Sequence, residues 1–390
     1  MINFEDTNSV FAHKSNWELK KSYYLFSILK YSLLVKIGSL LLRVSFFLRL
    51  PINKLIKLTI FNQFCGGENI QDCTKKINEL YDFGIGTILD YSVEGKENES
   101  DFEKTKDEVI QTILFSANSS KIPFTVFKIT GLGKSSIIEK ASRDFNSLND
   151  TEILDISLVS KRVDEICKVA SEKKVSVFID AEDSWYQNYI DQVVETMILK
   201  YNNKFPIVYN TIQLYRHDRL QYMKDLITRC NSIDKHLGLK LVRGAYMEKE
   251  REVAAKKNYE DPIQVDKAAT DYDFTKAVEY CLENIETISL CAGTHNEKSV
   301  LHLTDIMKKH TLRNSDSRIW FAQLLGMSDH ISFNLSKQGY NVAKYVPYGP
   351  VKEVVPYLIR RAEENTSVSG QTGRELSLIK IELENRNYSK

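Results

Sequence analysis

A stretch near the C-terminus, VKEVVPYLIRRAEEN from residue 351 to 365, has helical periodicity and places Tyr357, Arg360 and Arg361 at i, i+3 and i+4, on one face. An aromatic ring and two guanidinium groups pointing together suit a small amino acid, the arginines forking a carboxylate and the ring covering apolar atoms. The same face also reads as a solvated basic patch with a packing tyrosine, and the helix alone does not decide between the two. Upstream, a series of short apolar runs ends repeatedly in residues with chemistry: Lys128, Asp180 with Glu182, Gln213, Arg243, Thr294 with His295, Gln323, and Tyr345 in the last run. Strand ends also turn polar simply on reaching solvent, but so many coinciding points to one shared mouth.

The elements that must position these residues follow from the pattern. Strand-like runs occur at 83–92, 123–130, 175–182, 205–215, 237–246, 288–295, 319–326 and 341–349, separated by helix-length amphipathic intervals. Repeated βα units in this number predict an α/β fold, a distorted (βα)8 TIM-like barrel with its last helix over the mouth, in preference to an open doubly wound sheet. Residues 1–60 read as an N-terminal helical arm and 61–390 as the barrel domain. The charge-rich stretch from Glu94 to Glu108 reads as a solvated loop entering a helix. GLGKSS at 131–136 is a decoy: a phosphate loop needs glycine where Lys128 stands, and a dinucleotide fingerprint needs glycine where Ser136 stands.

Composition excludes several function classes. Fifty-three basic residues nearly balance 52 acidic ones, so no nucleic-acid partner is expected. The six cysteines form no CxxC pair, which fits a reducing compartment, and the seven histidines make no cluster of metal-ligand spacing, so no metal is expected. The polar, acidic start MINFEDTNSV lacks the features of a secretory or transit peptide. The membrane-like stretch is 22–50, interrupted by Lys30, Lys36, Arg43 and Arg49. A spanning helix would put several of these in hydrocarbon at roughly 2.5 to 3.5 kcal/mol each. Amphipathic helices are expected instead, packed on the main domain or lying on a membrane surface.

The strings KLVRGAYMEKER (240–251), FAQLLGMSD (321–329) and YVPYGPVKEVVPYLIRRAEEN (345–365) closely resemble the proline dehydrogenase family, with further matches in CGGE (65–68), FIDAE (178–182), YNTIQLY (209–215) and GTHN (293–296). The resemblance spans roughly residues 60 to 370. It implies FAD-dependent oxidation of L-proline to 1-pyrroline-5-carboxylate, the first step of proline catabolism to glutamate, with electrons passing to a quinone-type acceptor. It also implies that Lys128, Arg360 and Arg361 bind the proline carboxylate, and that Leu325, Tyr345 and Tyr357 surround its ring. Asp180 matches the active-site aspartate and is expected to pair with Lys128, balancing the surplus of cations, while Glu68 matches a gate that pairs with a helix arginine. Lys240 is placed beside the flavin N5, with Arg243, Gly244 and Ala245 along the cofactor, Gln213 near the ring edge, and Ala181, Thr294, His295 and Gln323 as further contacts. Asp180 and Lys240 are thus the expected catalytic pair.

The length leaves no room for the aldehyde dehydrogenase of the family's bifunctional members, so the product is expected to pass to a separate 1-pyrroline-5-carboxylate dehydrogenase. A cytoplasmic location, peripheral on the inner face of a membrane, is the matching expectation. Two enzymatic rivals remain: a hydroxyproline dehydrogenase, against which the bulk of Tyr345 argues, and a barrel lyase using Lys128 or Lys240 as a Schiff base with Asp180 as acid/base. A lipid-surface binding protein without activity is the third reading.

Overall fold

The computed structural model describes residues 2–48, 50–93, 95, 97–367 and 371–388. Arg49 and Glu94, named above, lie outside the described residues. Eight strands, β1 (Ile85–Tyr91), β2 (Phe124–Phe127), β3 (Ser176–Ile179), β4 (Val208–Gln213), β5 (Leu237–Val242), β6 (Ile288–Gly293), β7 (Ile319–Leu324) and β8 (Val342–Tyr348), close a barrel in chain order. Its ladders are parallel, with β1 in register against β8 from Ile85↔Val342 to Tyr91↔Tyr348. Every expected run contains one strand. The strands are shorter than the runs, whose polar C-terminal residues come after them: Lys128, Asp180, Arg243 and Thr294 each fall just past a strand end.

Helices α1 (Thr7–Phe11), α2 (Asn16–Leu29), α3 (Ser32–Phe47), α4 (Asn53–Ile56), α5 (Asn62–Phe64) and α6 (Ile70–Tyr81) precede β1, and α7 (Glu99–Ala117) follows it. Between β2 and β3 lie α8 (Ser135–Arg143) and α9 (Asp150–Lys173); α10 (Ser184–Tyr201) and α11 (Arg219–Ser232) follow β3 and β4. Then come α12 (Met247–Lys257) and α13 (Lys267–Glu283) after β5, α14 (Glu297–Lys309) after β6, and α15 (Asp329–Lys337) after β7. After β8 the chain ends in α16 (Val351–Ser367) and α17 (Gln371–Tyr388).

Two compact units divide the chain, Gly95–Ala322 and Met1–Glu94 with Gln323–Lys390. In the first, strand alternation sorts the side chains. Asn210 on β4 reaches outward to Tyr222 on α11 (3.1 Å) and Asp191 on α10 (3.4 Å), so Tyr209, Thr211 and Gln213 point the other way, into the barrel. There Phe124 stacks on Phe178 at 4.5 Å between ring centroids, with Tyr209 and Trp320 edge-on to Phe124. These rings form an apolar floor, and the same alternation carries Lys128, Asp180 and Gln213 above it. Outside, a buried bidentate pair from Arg219 to Asp191 (2.8 and 3.0 Å) clamps α11 to α10.

The second unit holds the arm. Ser15 and Glu18 form a capping box that starts α2. One face of α2 and α3, carrying Leu19, Phe26, Leu29 and Val35, is buried in a cluster with Val354, Val355 and Leu358 of α16 and Leu378 of α17. Lys14 reaches Asp329 at 2.8 Å, and Arg386 donates to the carbonyls of Phe11 and Lys14, both at 2.8 Å. The expected break at residue 60 therefore falls inside a compact unit, because the arm's inner face is buried on the C-terminal helices. Among the described residues no single helix is long and apolar enough to cross a membrane.

Candidate active site

Lys240 is buried on β5, directly across the ladder from Thr211 and Cys291, so it shares the inward face of Tyr209. Its Nζ lies 5.4 Å over the Phe178 ring and forms an ion pair with Asp180. Asp180 extends β3 by one rung, its N–H donating to the Phe127 carbonyl at 3.0 Å. The expected partner of Asp180 is Lys128, and the structure gives it Lys240 instead. The reason is geometric: β5 delivers its lysine inward at the height of the β3 terminus, whereas Lys128, just past β2, lies against Glu182 and favours that residue's ionised form.

Glu182, two residues beyond Asp180, reads from the sequence only as a polar strand end. It is buried, and both oxygens are engaged by Thr130, the Thr130 N–H donating at 3.0 Å to Oε1 and the hydroxyl to Oε2. Burial pushes its carboxyl up to about 7, against the pull of Lys128 and the two Thr130 bonds. The DAE triplet is the available signal, since a second carboxylate two residues on in an extended chain shares the face of the first.

A second cluster sits around the ends of β4, β5 and β6. The Arg243 guanidinium is held at three points, by Asp271 (2.7 Å), the Thr294 hydroxyl (2.8 Å) and the Ser299 hydroxyl (2.8 Å), and lies 4.5 Å from the Phe274 ring. Such a cation is fixed in direction before any ligand arrives. Gly244 has φ +138°, and a Cβ there would lie 2.4 Å from the Tyr215 ring, so only glycine lets the chain turn over that ring. Gly244 and Ala245 are exposed, Ala181 and His295 half-buried and Thr294 buried. Thr211 Oγ1, Gln213 Oε1 and the Tyr215 hydroxyl are buried with no hydrogen-bond partner among the described residues. The Gln323 amide oxygen accepts from the Ser332 hydroxyl on α15 at 2.8 Å.

In the other unit, β8 and α16 carry the remaining residues. Tyr345 is buried on β8, and its carbonyl accepts from the N–H of Leu325, also buried, at 2.9 Å. Tyr357 and Arg361 are buried on α16, with the guanidinium 5.3 Å from the ring, and Arg360 is half-buried. The Tyr357 hydroxyl has no hydrogen-bond partner among the described residues, and burial pushes its phenol above the usual range. Arg361 forms an ion pair with Glu364, one turn on.

Glu68 is set by the two glycines before it, which run beside β8: Gly67 bridges Tyr348, and the Gly66 N–H donates to the Pro347 carbonyl at 2.8 Å. Its partner is Lys57, whose ammonium holds the carboxyl below its ordinary value, and it accepts from the Val351 N–H at 3.4 Å at the start of α16. The expected gate to a helix arginine is therefore not the pairing formed; Lys57 is the nearer cation, and Arg361 is engaged by Glu364. Among the described residues no group of His, Cys, Asp or Glu is placed to hold a metal ion, and all six cysteines are free and buried.

Barrel topology and chemistry gathered at strand ends define the class, a (βα)8-barrel enzyme. Comparison with known proteins makes this specific. The proline dehydrogenase family profile matches residues 73–374. The chain is 32% identical to mitochondrial proline dehydrogenase 1 of Dictyostelium discoideum over 98% of its own length and 75% of the relative's. It is 30% identical to the hydroxyproline dehydrogenase of Xenopus laevis over 100% of this chain and 91% of that one. Among solved structures it resembles proline utilization A from Bdellovibrio bacteriovorus, with a TM-score of 0.73 and 20% identity, covering 82% of this chain and 35% of that one.

The chain belongs to the proline dehydrogenase family, and it is an oxidoreductase that oxidises proline in proline catabolism. The family is flavin-dependent, and the residues present fit a flavin. Orphaned polar atoms of Thr211, Gln213 and Tyr215, a fixed guanidinium at Arg243 and an open glycine turn at Gly244 match a planar group rich in acceptors and donors.

Proposed function

We propose that this chain oxidises the C5–N bond of L-proline to give 1-pyrroline-5-carboxylate, with FAD as its cofactor and a quinone-type compound as final acceptor. The supporting observation is the inward-facing Lys240–Asp180 pair, with Lys128 acting on Glu182 two residues further on, above an aromatic floor in a chain of this family. FAD supplies a hydride acceptor at its flavin N5 when bound, held by Gln213, Arg243, Gly244, Ala245, Thr294 and His295, with Ala181 and Gln323 as further contacts.

In this reading Lys128, Arg360 and Arg361 bind the carboxylate, and Leu325, Tyr345 and Tyr357 enclose the ring, so that C5 is oriented and water is excluded. Lys240 supplies positive charge where negative charge develops, and Asp180 keeps that lysine aligned and its charge balanced. The nitrogen enters as the neutral amine, C5 gives up hydride so that the N–C5 bond becomes an iminium, and the iminium N–H proton then passes to solvent to leave the imine. Orientation dominates the rate enhancement, at roughly 7–11 kcal/mol for well-aligned reactants. Glu68 guards the start of α16 through Lys57. The product goes on to a 1-pyrroline-5-carboxylate dehydrogenase, and the enzyme works in contact with the membrane that holds its acceptor.

The full-length likeness to a hydroxyproline dehydrogenase makes trans-4-hydroxyproline the competing substrate. Tyr345 excludes it in this account, its buried ring occupying the space a ring hydroxyl requires. Dye-coupled oxidation of proline and trans-4-hydroxyproline, compared in the native protein and in Tyr345→Ser, tests the reading. Preference for proline that relaxes in the variant supports it; equal use of both substrates by the native protein, or no proline turnover, overturns it.

A further inference from the structure

The arm has two apolar faces, and only one of them is buried. On α3, Val35 is buried and Leu42 and Phe46 pack on the cluster that holds α16. At about 100° per residue these three lie together on the inner side. The opposite side, an arc of roughly 120° by the same periodicity, carries Leu33, Ile37, Leu40, Leu41, Val44 and Phe47. All six are exposed, Leu33 to 67% and Phe47 to 84%. Single exposed apolar residues need no explanation, but a continuous stripe along a whole helix does.

Charge identifies what covers it. From Leu19 to Gly67 the sequence contains no Asp or Glu and eight Lys or Arg, although the chain as a whole is almost neutral. Lys36 is exposed at the edge of the stripe, and Lys30 and Lys54 are exposed on either side of α3; Lys57 is taken by Glu68. An apolar stripe with a basic border and no acid is complementary to the acyl–headgroup boundary of an anionic bilayer. A second copy of this chain would bring the same positive border against itself.

We infer that the outer face of α3 is the surface by which this protein seats on an anionic phospholipid bilayer. The inference rests on the proposed use of a lipid-dissolved acceptor, and it adds the face, the residues and the lipid charge. Because the inner side of α3 packs on the cluster of α16, seating brings the helix carrying Tyr357 and Arg361 within about one helix diameter, roughly 10 Å, of the arm that meets the lipid.

The test is flotation of the FAD-loaded full chain with vesicles of phosphatidylcholine alone and with roughly one third phosphatidylglycerol. The native protein is expected to float with the anionic vesicles and to be released by high salt or carbonate. Leu40→Glu combined with Phe47→Glu is expected to weaken flotation by at least about tenfold. Lys36→Gln is expected to weaken it by about fivefold on anionic vesicles only. Val265→Glu, at an isolated exposed residue elsewhere, is expected to change nothing. Proline turnover with a soluble dye should be equal in all of these, whereas turnover with a vesicle-dissolved quinone falls with flotation. Normal dye turnover without native flotation overturns the inference alone, and absent dye turnover overturns the functional reading. Equal flotation on neutral vesicles, retention after carbonate, or a dimer that the double variant dissociates without loss of flotation each overturns the seat.

Discussion

Replacing Glu182 by glutamine removes a titration without removing a hydrogen bond. In Glu182→Gln the side-chain carbonyl oxygen takes the Thr130 N–H, and the new amide nitrogen faces the Thr130 hydroxyl, which accepts in place of donating. In the native protein burial raises this carboxyl from 4.5 to about 7, so the folded state binds more protons than the unfolded chain between those values. An acid with a raised folded pKa contributes most stability at low pH and loses it as pH rises through that window. At about 1.4 kcal/mol per pKa unit, the native protein gives up roughly 2–3 kcal/mol from this group between about pH 5 and pH 8. Unfolding free energies from denaturant titrations at several pH values should therefore show Glu182→Gln gaining on the native protein as pH rises. The KM for proline should follow, because an ionised Glu182 competes with substrate carboxylate for Lys128. Parallel stability profiles for the two proteins would refute the reasoning.

Arg361→Lys keeps the charge but loses the planar fork over Tyr357, and should raise KM for proline by about 10- to 100-fold with a smaller change in kcat, read from steady-state kinetics. Gly244→Ala sets a Cβ into the Tyr215 ring at a backbone angle that costs roughly 1–3 kcal/mol, and should weaken FAD binding in a fluorescence titration while proline-independent folding persists. Asp329→Asn leaves the fully buried Lys344 ammonium without its counter-charge and should cost about 3–5 kcal/mol in chemical unfolding. His13, held down to about 4 by burial and Lys14, contributes stability that is lost as pH falls from about 6.5 towards 4. His13→Phe, stacked on Phe333, should flatten that loss in the same titrations.

The eight strands were legible because each alternates or runs apolar for several residues and then meets a polar end, and those ends mark the mouth. The face of Tyr357, Arg360 and Arg361 was legible from helical spacing, and Arg361 and Tyr357 do lie together. Pairings were harder, since they depend on which strand delivers a side chain at which height. Lys240 reaches Asp180 from two strands away, and Lys57 reaches Glu68 from the arm; neither distance is encoded in local sequence. Gln323 sits at a strand end like the others, but Ser332 on the following helix holds its amide oxygen. Lys344, in the middle of β8, is received by three groups that its own strand does not reveal: the Leu324 carbonyl at the end of β7, the Met327 carbonyl beyond it, and Asp329 at the start of α15. For the arm, amphipathic patterning was visible, but helices apolar on two faces give no sequence signal for which face is buried.

The most direct measurement is the visible spectrum of the purified, FAD-supplemented protein under anaerobic conditions before and after L-proline. The account predicts flavin bands that bleach on addition of proline, with one equivalent of 1-pyrroline-5-carboxylate formed for each flavin reduced. A protein that takes up no FAD, or whose flavin bands persist in excess proline, would contradict it.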